Sequence, residues 1–217
     1  MVAKAMPERF IQGGIAEQNL VGVAAGMTTL GWKPWLSSFT VFLTHRAIDQ
    51  VRMVVAQTNA PVKVIGSYSG LLTGLTGRTH CDVEDLAIMR AMPAMTVLAP
   101  ADNAELVAMM DWANGHDGPV YLRIARDDAP DVLPEGYEWR LGEPVVLREG
   151  ADVTMVGTGV ESGRVLAAAD LLAADGIEAQ VVHVGSLKPV DLAALVASLG
   201  PSGLVVTAEE HAIEEIG

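Results

Sequence analysis

The sequence has a single cysteine, Cys81. That excludes an intrachain disulfide framework and a thiolate metal cluster. Basic residues are few, 14 Lys and Arg against 27 Asp and Glu, and the formal net charge is −13. Duplex nucleic acid and anionic membranes call for a basic face, so neither is expected as a partner. No apolar run approaches the roughly 20 residues that span a bilayer. The segment Met1–Phe10 carries Lys4, Pro7, Glu8 and Arg9, unlike a secretory signal, and a cytoplasmic protein is the expectation. No P-loop, zincin, nucleophile-elbow or EF-hand pattern occurs. Aromatic residues are scarce at 5%, and only three are Phe.

What is present is an apolar, modestly charged chain of 217 residues, 50% hydrophobic and 19% charged. That is ample for a buried core and fits one large or two modest domains. Short β-branched runs alternate with alanine-rich stretches. Strands are expected at Phe10–Gln12, Pro34–Phe39, Val62–Ile65, Thr96–Leu98 and Val120–Ile124. Helices are expected at Ile15–Leu30, Val41–Gln57, Asp85–Ala91 and Asn103–Ala113. In the second helix, Val41, His45, Ile48, Arg52 and Val55 fall near one face. This rhythm predicts a mainly parallel sheet covered on both faces. Residues 127–142, with Pro130, Pro134, Gly136 and a cluster of acids, read as a linker. A second unit then shows three strands (Val153–Gly157, Ala179–Val184, Leu204–Thr207) and two helices (Ser162–Asp175, Val190–Leu199). The fold class is therefore α/β, two three-layer α/β/α units. The second is read as incomplete at its C-terminus, with more chain expected after Gly217.

Two segments bear on chemistry. Val156-Gly157-Thr158-Gly159 lies between a strand and a helix, where it either binds an anion through backbone N–H groups or forms a tight turn. Gly14-Ile15-Ala16-Glu17-Gln18-Asn19 places an acid at the start of a small-residue, apolar helix. A solvated acid there would merely complement the helix dipole. A buried one needs a partner and is expected to have a raised pKa, as proton-transfer chemistry requires.

The run Arg9 to Asn19 resembles the "RF…GIAEQN" segment of the transketolase family. The likeness continues through Ser37–Leu43, Gly77-Arg78-Thr79-His80, Pro93–Ala101, Gly118–Tyr121 and Ala208–His211, nearly the whole chain. Within the family it resembles the C-terminal subunit of a split transketolase. That implies a pyrimidine-binding domain at 1–126, the linker 127–142 and a partial transketolase C-terminal domain at 143–217. It also implies a thiamine diphosphate cofactor. Glu17 matches the glutamate that bonds ring nitrogen N1′ of the cofactor and promotes the imino tautomer that takes the C2 proton. Phe39 and Phe42 match the aromatic pair around the aminopyrimidine, although Phe-x-x-Phe alone would suit core packing. His45 falls where many relatives have a cofactor-facing tyrosine, and it either bonds the amino group or caps the pocket. His80 matches the substrate-facing histidine. Arg126 matches an arginine that contacts substrate phosphate; otherwise it forms a surface ion pair with Asp127 or Asp128. Cys81 follows His80 where glutamine is usual. A thiolate nucleophile there is conceivable, but thiamine chemistry supplies its own carbanion.

The departures are informative too. The Gly-Asp-Gly motif that holds magnesium and diphosphate in this family is missing, as are the usual first strand and helix before Arg9. The resemblance implies that Mg²⁺ and the diphosphate are held by an N-terminal partner subunit, giving an α2β2 heterotetramer that acts on sugar-like small molecules. Gly74-Leu75-Thr76-Gly77 stands where transketolases read Gly-Glu-Asp-Gly, so Thr76 replaces a substrate-binding aspartate. Tyr68 replaces a histidine a few residues earlier. A substrate other than the ordinary sugar-phosphate pair is expected, because a site without the carboxylate cannot discriminate for the hydroxyl it would bind. The expected activity is ketol transfer between a ketose donor and an aldehyde acceptor. The alternatives are a deoxyxylulose-phosphate-synthase-like or 2-oxoacid-dehydrogenase-β-like subunit, or a non-catalytic scaffold.

Overall fold

The computed structural model describes residues 2–72 and 74–212. Among them, strands β1 (Trp35–Phe39), β2 (Lys63–Ser67), β3 (Thr96–Leu98) and β4 (Val120–Ile124) form a parallel array in the order β1-β2-β4-β3. Successive side chains of a strand point to opposite faces. Val64, Val97 and Tyr121 accordingly enter one core layer with Val21, Leu43, Val51 and Met89. Ile65, Leu98 and Leu122 enter the other with Met109 and Ala113. Each fully buried Val, Leu or Met side chain contributes about 1.5–3 kcal/mol by leaving water. The expected two-sided parallel sheet is thus present.

Helix α1 (Val2–Ala5) is a single turn, and α2 (Glu17–Thr28) is the first long helix. Its buried residues are Glu17, Val21 and Ala24. Spacings of four and three put them on one stripe, so helical periodicity carries Glu17 into the protein along with its apolar neighbours. Gly14 precedes the helix at φ 68°, a left-handed turn that favours glycine.

The expected single helix over Val41–Gln57 is instead broken. Wide turns of π type at Phe42–Arg46 and Val51–Ala56 flank α3 (Ile48–Gln50). The Ala47 and Gln57 N–H groups reach back five residues, to Phe42 and Arg52 carbonyls, at 3.0 Å each. The extra residue per turn rotates the faces. Leu43, Ala47, Val51 and Val55 are buried, while His45, Ile48 and Arg52 are exposed. Such widened turns cluster at functional sites.

Helices α4 (Asp85–Ala91) and α5 (Asn103–Gly115) complete the first unit. Asp102 caps α5 by accepting from the Glu105 N–H at 3.0 Å. Its other oxygen accepts from the Val132 and Leu133 N–H groups at 3.1 and 3.2 Å, pinning the linker to the cap. The second sheet is built from β5 (Val145–Arg148), β6 (Val153–Gly157), β7 (Ala179–His183) and β9 (Val205–Ala208), in the order β5-β7-β6-β9. Between β7 and β9 in the chain, β8 (Ser186–Lys188) leaves this sheet and pairs antiparallel with β3 in the first. Helix α6 (Glu161–Ala174) buries Val165 and Ala169 against the second sheet, and α7 (Leu192–Ser198) follows β8.

Phe10–Gln12 forms no strand; a 3₁₀ turn at Pro7–Arg9 precedes it and the segment is exposed. Strands β5 and β8 were not expected. Both are short, and both pair antiparallel with distant partners. Of the Val156–Gly159 segment, Val156 and Gly157 end β6 and Gly159 turns at φ 58°, where a Cβ would sit 3.6 Å from Ala99, so the turn packs on the first unit. Continuation past Gly217 lies outside the described residues.

Candidate active site

Ligands of open parallel sheets gather outside the carboxyl ends of the strands. Here β1 ends at Phe39, which is in register with Ser67 of β2, and Ser67 with Ile124 of β4. Phe39, Tyr68 and Arg126 therefore emerge side by side. The loop after β2 returns His80 to the same end.

The rings form one chain of contacts. The Phe39 ring lies 4.6 Å from Tyr68, 5.8 Å from Phe42 and 5.3 Å from His80, centroid to centroid. His80 also meets Phe42 edge-on at 5.3 Å. The Arg126 guanidinium lies 5.8 Å from the Tyr68 centroid, within cation–π range. Among the described residues it forms no ion pair with Asp127 or Asp128. Tyr68 has φ 63°, a left-handed backbone that a bulky residue rarely adopts. Such strain concentrates at working sites.

Glu17 sits at the other end of this chain, only 3% exposed. Its Oε1 accepts from Ser38 Oγ at 3.1 Å and its Oε2 from Arg46 Nη1 at 2.8 Å. The Arg46 guanidinium carbon lies over the Phe42 ring, 4.1 Å from its centroid. Contrary to the raised pKa expected of a buried acid, Glu17 lies below the ordinary carboxylate range. Burial pushes it up, but hydrogen bonds from Arg46, from its own backbone N–H and from Ser38, with the Arg46 charge, outweigh burial.

The remaining residues lie elsewhere. His45 faces two carboxylates, its Nε2 3.6 Å from Asp82 Oδ1 and 3.4 Å from Glu84 Oε2. With Arg78, Cys81 and Asp82 it lines a neighbouring cavity of about 540 Å³. Thr76 ends the exposed 3₁₀ turn Gly74–Thr76. Sequence reasoning missed Ser38 and Arg46 as parts of the site. Arg46 left only a partial signal: a residue four after Phe42 shares its side of a regular helix, but the widened turn here is not written in the hydrophobic pattern.

A buried carboxylate beside half-buried aromatic rings offers an acid for a ring nitrogen and apolar edges for a ring face. That donor set fits an aminopyrimidine.

Comparison with known proteins gives the family. The model of the transketolase pyrimidine-binding domain matches residues 1–131, and that of the transketolase C-terminal domain matches residues 142–215. A 6-deoxy-6-sulfo-D-fructose transketolase subunit from Clostridium sp. (strain MSTE9) is 44% identical over 208 residues, 96% of this chain and 65% of the relative. One of the subunits of an apulose-4-phosphate transketolase from Phocaeicola vulgatus is 32% identical over 96% of this chain and 67% of its own length. A solved structure described as a split-gene transketolase, an inactive β4 tetramer, superposes with a TM-score of 0.88 at 43% identity, covering 99% of this chain and 69% of that one. The chain thus spans about two thirds of the length of these relatives, and it belongs to the transketolase family.

Proposed function

We propose that the chain is the pyrimidine-side part of a thiamine-diphosphate-dependent transketolase, moving a two-carbon ketol unit from a ketose donor to an aldehyde acceptor. The observation that carries this reading is Glu17: a buried carboxylate at a helix start, linked through Arg46 to the face of Phe42 in the Phe39–Phe42–His80 group. When bound, thiamine diphosphate supplies the nucleophilic carbon and the electron sink. Glu17 holds a proton at N1′, Ser38 orients its Oε1, and Phe39 and Phe42 bound the aminopyrimidine. His80, edge-on to both rings, donates or accepts at substrate hydroxyls. His45, in the adjoining cavity, caps the pocket.

Residues 1–126 act as the pyrimidine-binding domain and 143–217 as the C-terminal domain, joined by 127–142. Relatives named as separate transketolase subunits support a partner that brings Mg²⁺ and the diphosphate site, in an α2β2 heterotetramer. A β4 assembly that is inactive, as described for the 43% identical relative, fits a chain that is incomplete alone. Leu75 and Thr76 in place of an acidic pair, and Tyr68 in place of histidine, support a substrate less hydroxylated or differently substituted than the ordinary pentose phosphates. Two relatives named for a sulfosugar and for apulose 4-phosphate favour the same reading. Arg126, beside the Tyr68 ring, meets an anionic tail of the substrate.

The test is reconstitution with a diphosphate-binding transketolase subunit from the same organism, thiamine diphosphate and Mg²⁺. Ketol transfer by the mixture and none by the chain alone is expected. Turnover by the chain alone sinks the divided-site reading. If xylulose 5-phosphate with ribose 5-phosphate proves the best pair at ordinary transketolase rates, the loop substitutions carry no specificity.

A further inference from the structure

We propose that Arg46 is a built-in plug of the pyrimidine seat: it occupies Glu17 and the Phe42 ring face, and the cofactor must displace it. The inference rests on the assignment of Glu17 as the N1′ partner and concerns the control of that site.

Three observations carry it. Both Glu17 oxygens are already engaged, one by Ser38 at 3.1 Å and the other by Arg46 at 2.8 Å. A ring nitrogen that approaches Glu17 Oε2 along the Phe42 face meets Arg46 already bonded there. The guanidinium also lies over Phe42, 4.1 Å from its centroid. A planar group that presents N–H to the carboxylate while lying on an aromatic face makes the two contacts expected of a protonated aminopyrimidine edge. Finally, Arg46 is free to go. Its side chain is 43% exposed, and among the described residues it has no other hydrogen-bonded partner. Swinging out returns its charge to water, and the one buried atom it leaves, Glu17 Oε2, is the atom the cofactor's ring nitrogen then takes. Arg123, 5% exposed and tied to Asp85, has no such freedom.

The chemistry of exchange follows. While Arg46 is in place it favours the ionised carboxylate and opposes a proton resting between Glu17 and N1′. On its departure Glu17 loses a cation, and the shared proton becomes easier to hold. Binding energy of the cofactor's other half, held by the partner, would meet the cost of displacement. The lone chain, without that half, keeps its seat closed. Arg46 is thus a positioning residue that couples cofactor capture to assembly.

The test uses the full chain without a partner and the free pyrimidine alcohol of thiamine, 4-amino-5-hydroxymethyl-2-methylpyrimidine, in calorimetric or NMR titration. Arg46→Met keeps the apolar stem and removes the plug, while Arg46→Gln keeps a neutral donor. Both should bind the probe at least tenfold tighter than the wild type, and Arg46→Lys much less so. Adding Glu17→Gln to Arg46→Met should cancel the gain. Equal or weaker binding by both neutral variants, or no binding by any of them, overturns the plug. Tight wild-type binding that Glu17→Gln abolishes overturns the plug but leaves the Glu17 assignment standing. A gain that survives Glu17→Gln puts the probe elsewhere and sinks both.

Discussion

Glu17 and Asp85 are both buried acids at the start of a helix in the same unit, and both are bonded by an arginine. They differ in where the arginine lives. Asp85 Oδ2 accepts from Tyr121 Oη at 2.7 Å and from Arg123 Nε at 2.9 Å, with all three side chains shut away from water. Arg123 goes on to bond the Glu210 carbonyl at 2.8 Å, and Arg164 reaches the Glu210 carboxylate at 3.3 Å. This network bolts the first unit to the second. Burial pushes the Tyr121 hydroxyl well above its usual range, and the adjoining Asp85 carboxylate adds to that. Burial pushes Arg123 down, but Asp85 outweighs it and Arg123 stays charged. Glu17 instead leans on a half-exposed side chain. A buried acid with a buried counter-ion is framework; one with a counter-ion that can leave is poised to take another partner.

The comparison breaks most sharply at Asp85. Asp85→Ala leaves Arg123 buried without its anion, a loss of about 3–5 kcal/mol. The urea midpoint of the full chain should fall accordingly, and an unchanged midpoint would deny the framework role. Glu17→Gln should cost no more than about 1 kcal/mol, since the half-exposed Arg46 can return to water and the amide keeps the Ser38 hydrogen bond. Its effect should fall on kcat of the assembled enzyme, a drop of about 10²-fold or more for a proton-transfer group. A large stability loss with intact kcat would reverse the two roles.

How far the sequence shows this contrast depends on the kind of information. Asp85–Ala91, Thr96–Leu98 and Val120–Ile124 coincide with their expected elements, because apolar run length and turn residues are local. Glu17's burial was also legible, from the small apolar helix it begins. The direction of its pKa was not, because that depends on Arg46, which a widened helical turn delivers to it. Hydrogen-bond register leaves no mark in a hydrophobic pattern, so the π turns do not show there. β8 is hidden for another reason: the pairing of Lys188 with Val97 joins residues far apart in sequence. The Asp85–Arg123–Glu210 bolt is invisible in sequence for the same reason.

Smaller effects sharpen the picture. Phe42 is only half-buried, so Phe42→Ala should weaken thiamine diphosphate binding to the assembled enzyme about tenfold, or ~1.4 kcal/mol. An unaltered dissociation constant would return Phe42 to plain packing. The smallest effect is in pH dependence. Burial raises the Glu17 pKa, but bonds from Arg46, its own backbone and Ser38 bring it below the ordinary 4.5. Its pairing therefore stabilises the fold fully above pH ~4.5, and the contribution is lost as pH falls through the lower folded value. Arg46→Met should flatten this part of the acid limb in a urea-midpoint series. An acid limb as steep as the wild type's would show that the pair contributes nothing there.

Hydrogen–deuterium exchange at cofactor C2 decides whether Glu17 is the proton-handling group of a thiamine site. The measurement compares wild type and Glu17→Gln, each assembled with its diphosphate-binding subunit. Exchange in the variant should be slowed by about 10²-fold or more at saturating cofactor. Equal exchange rates in the two assemblies would contradict that role.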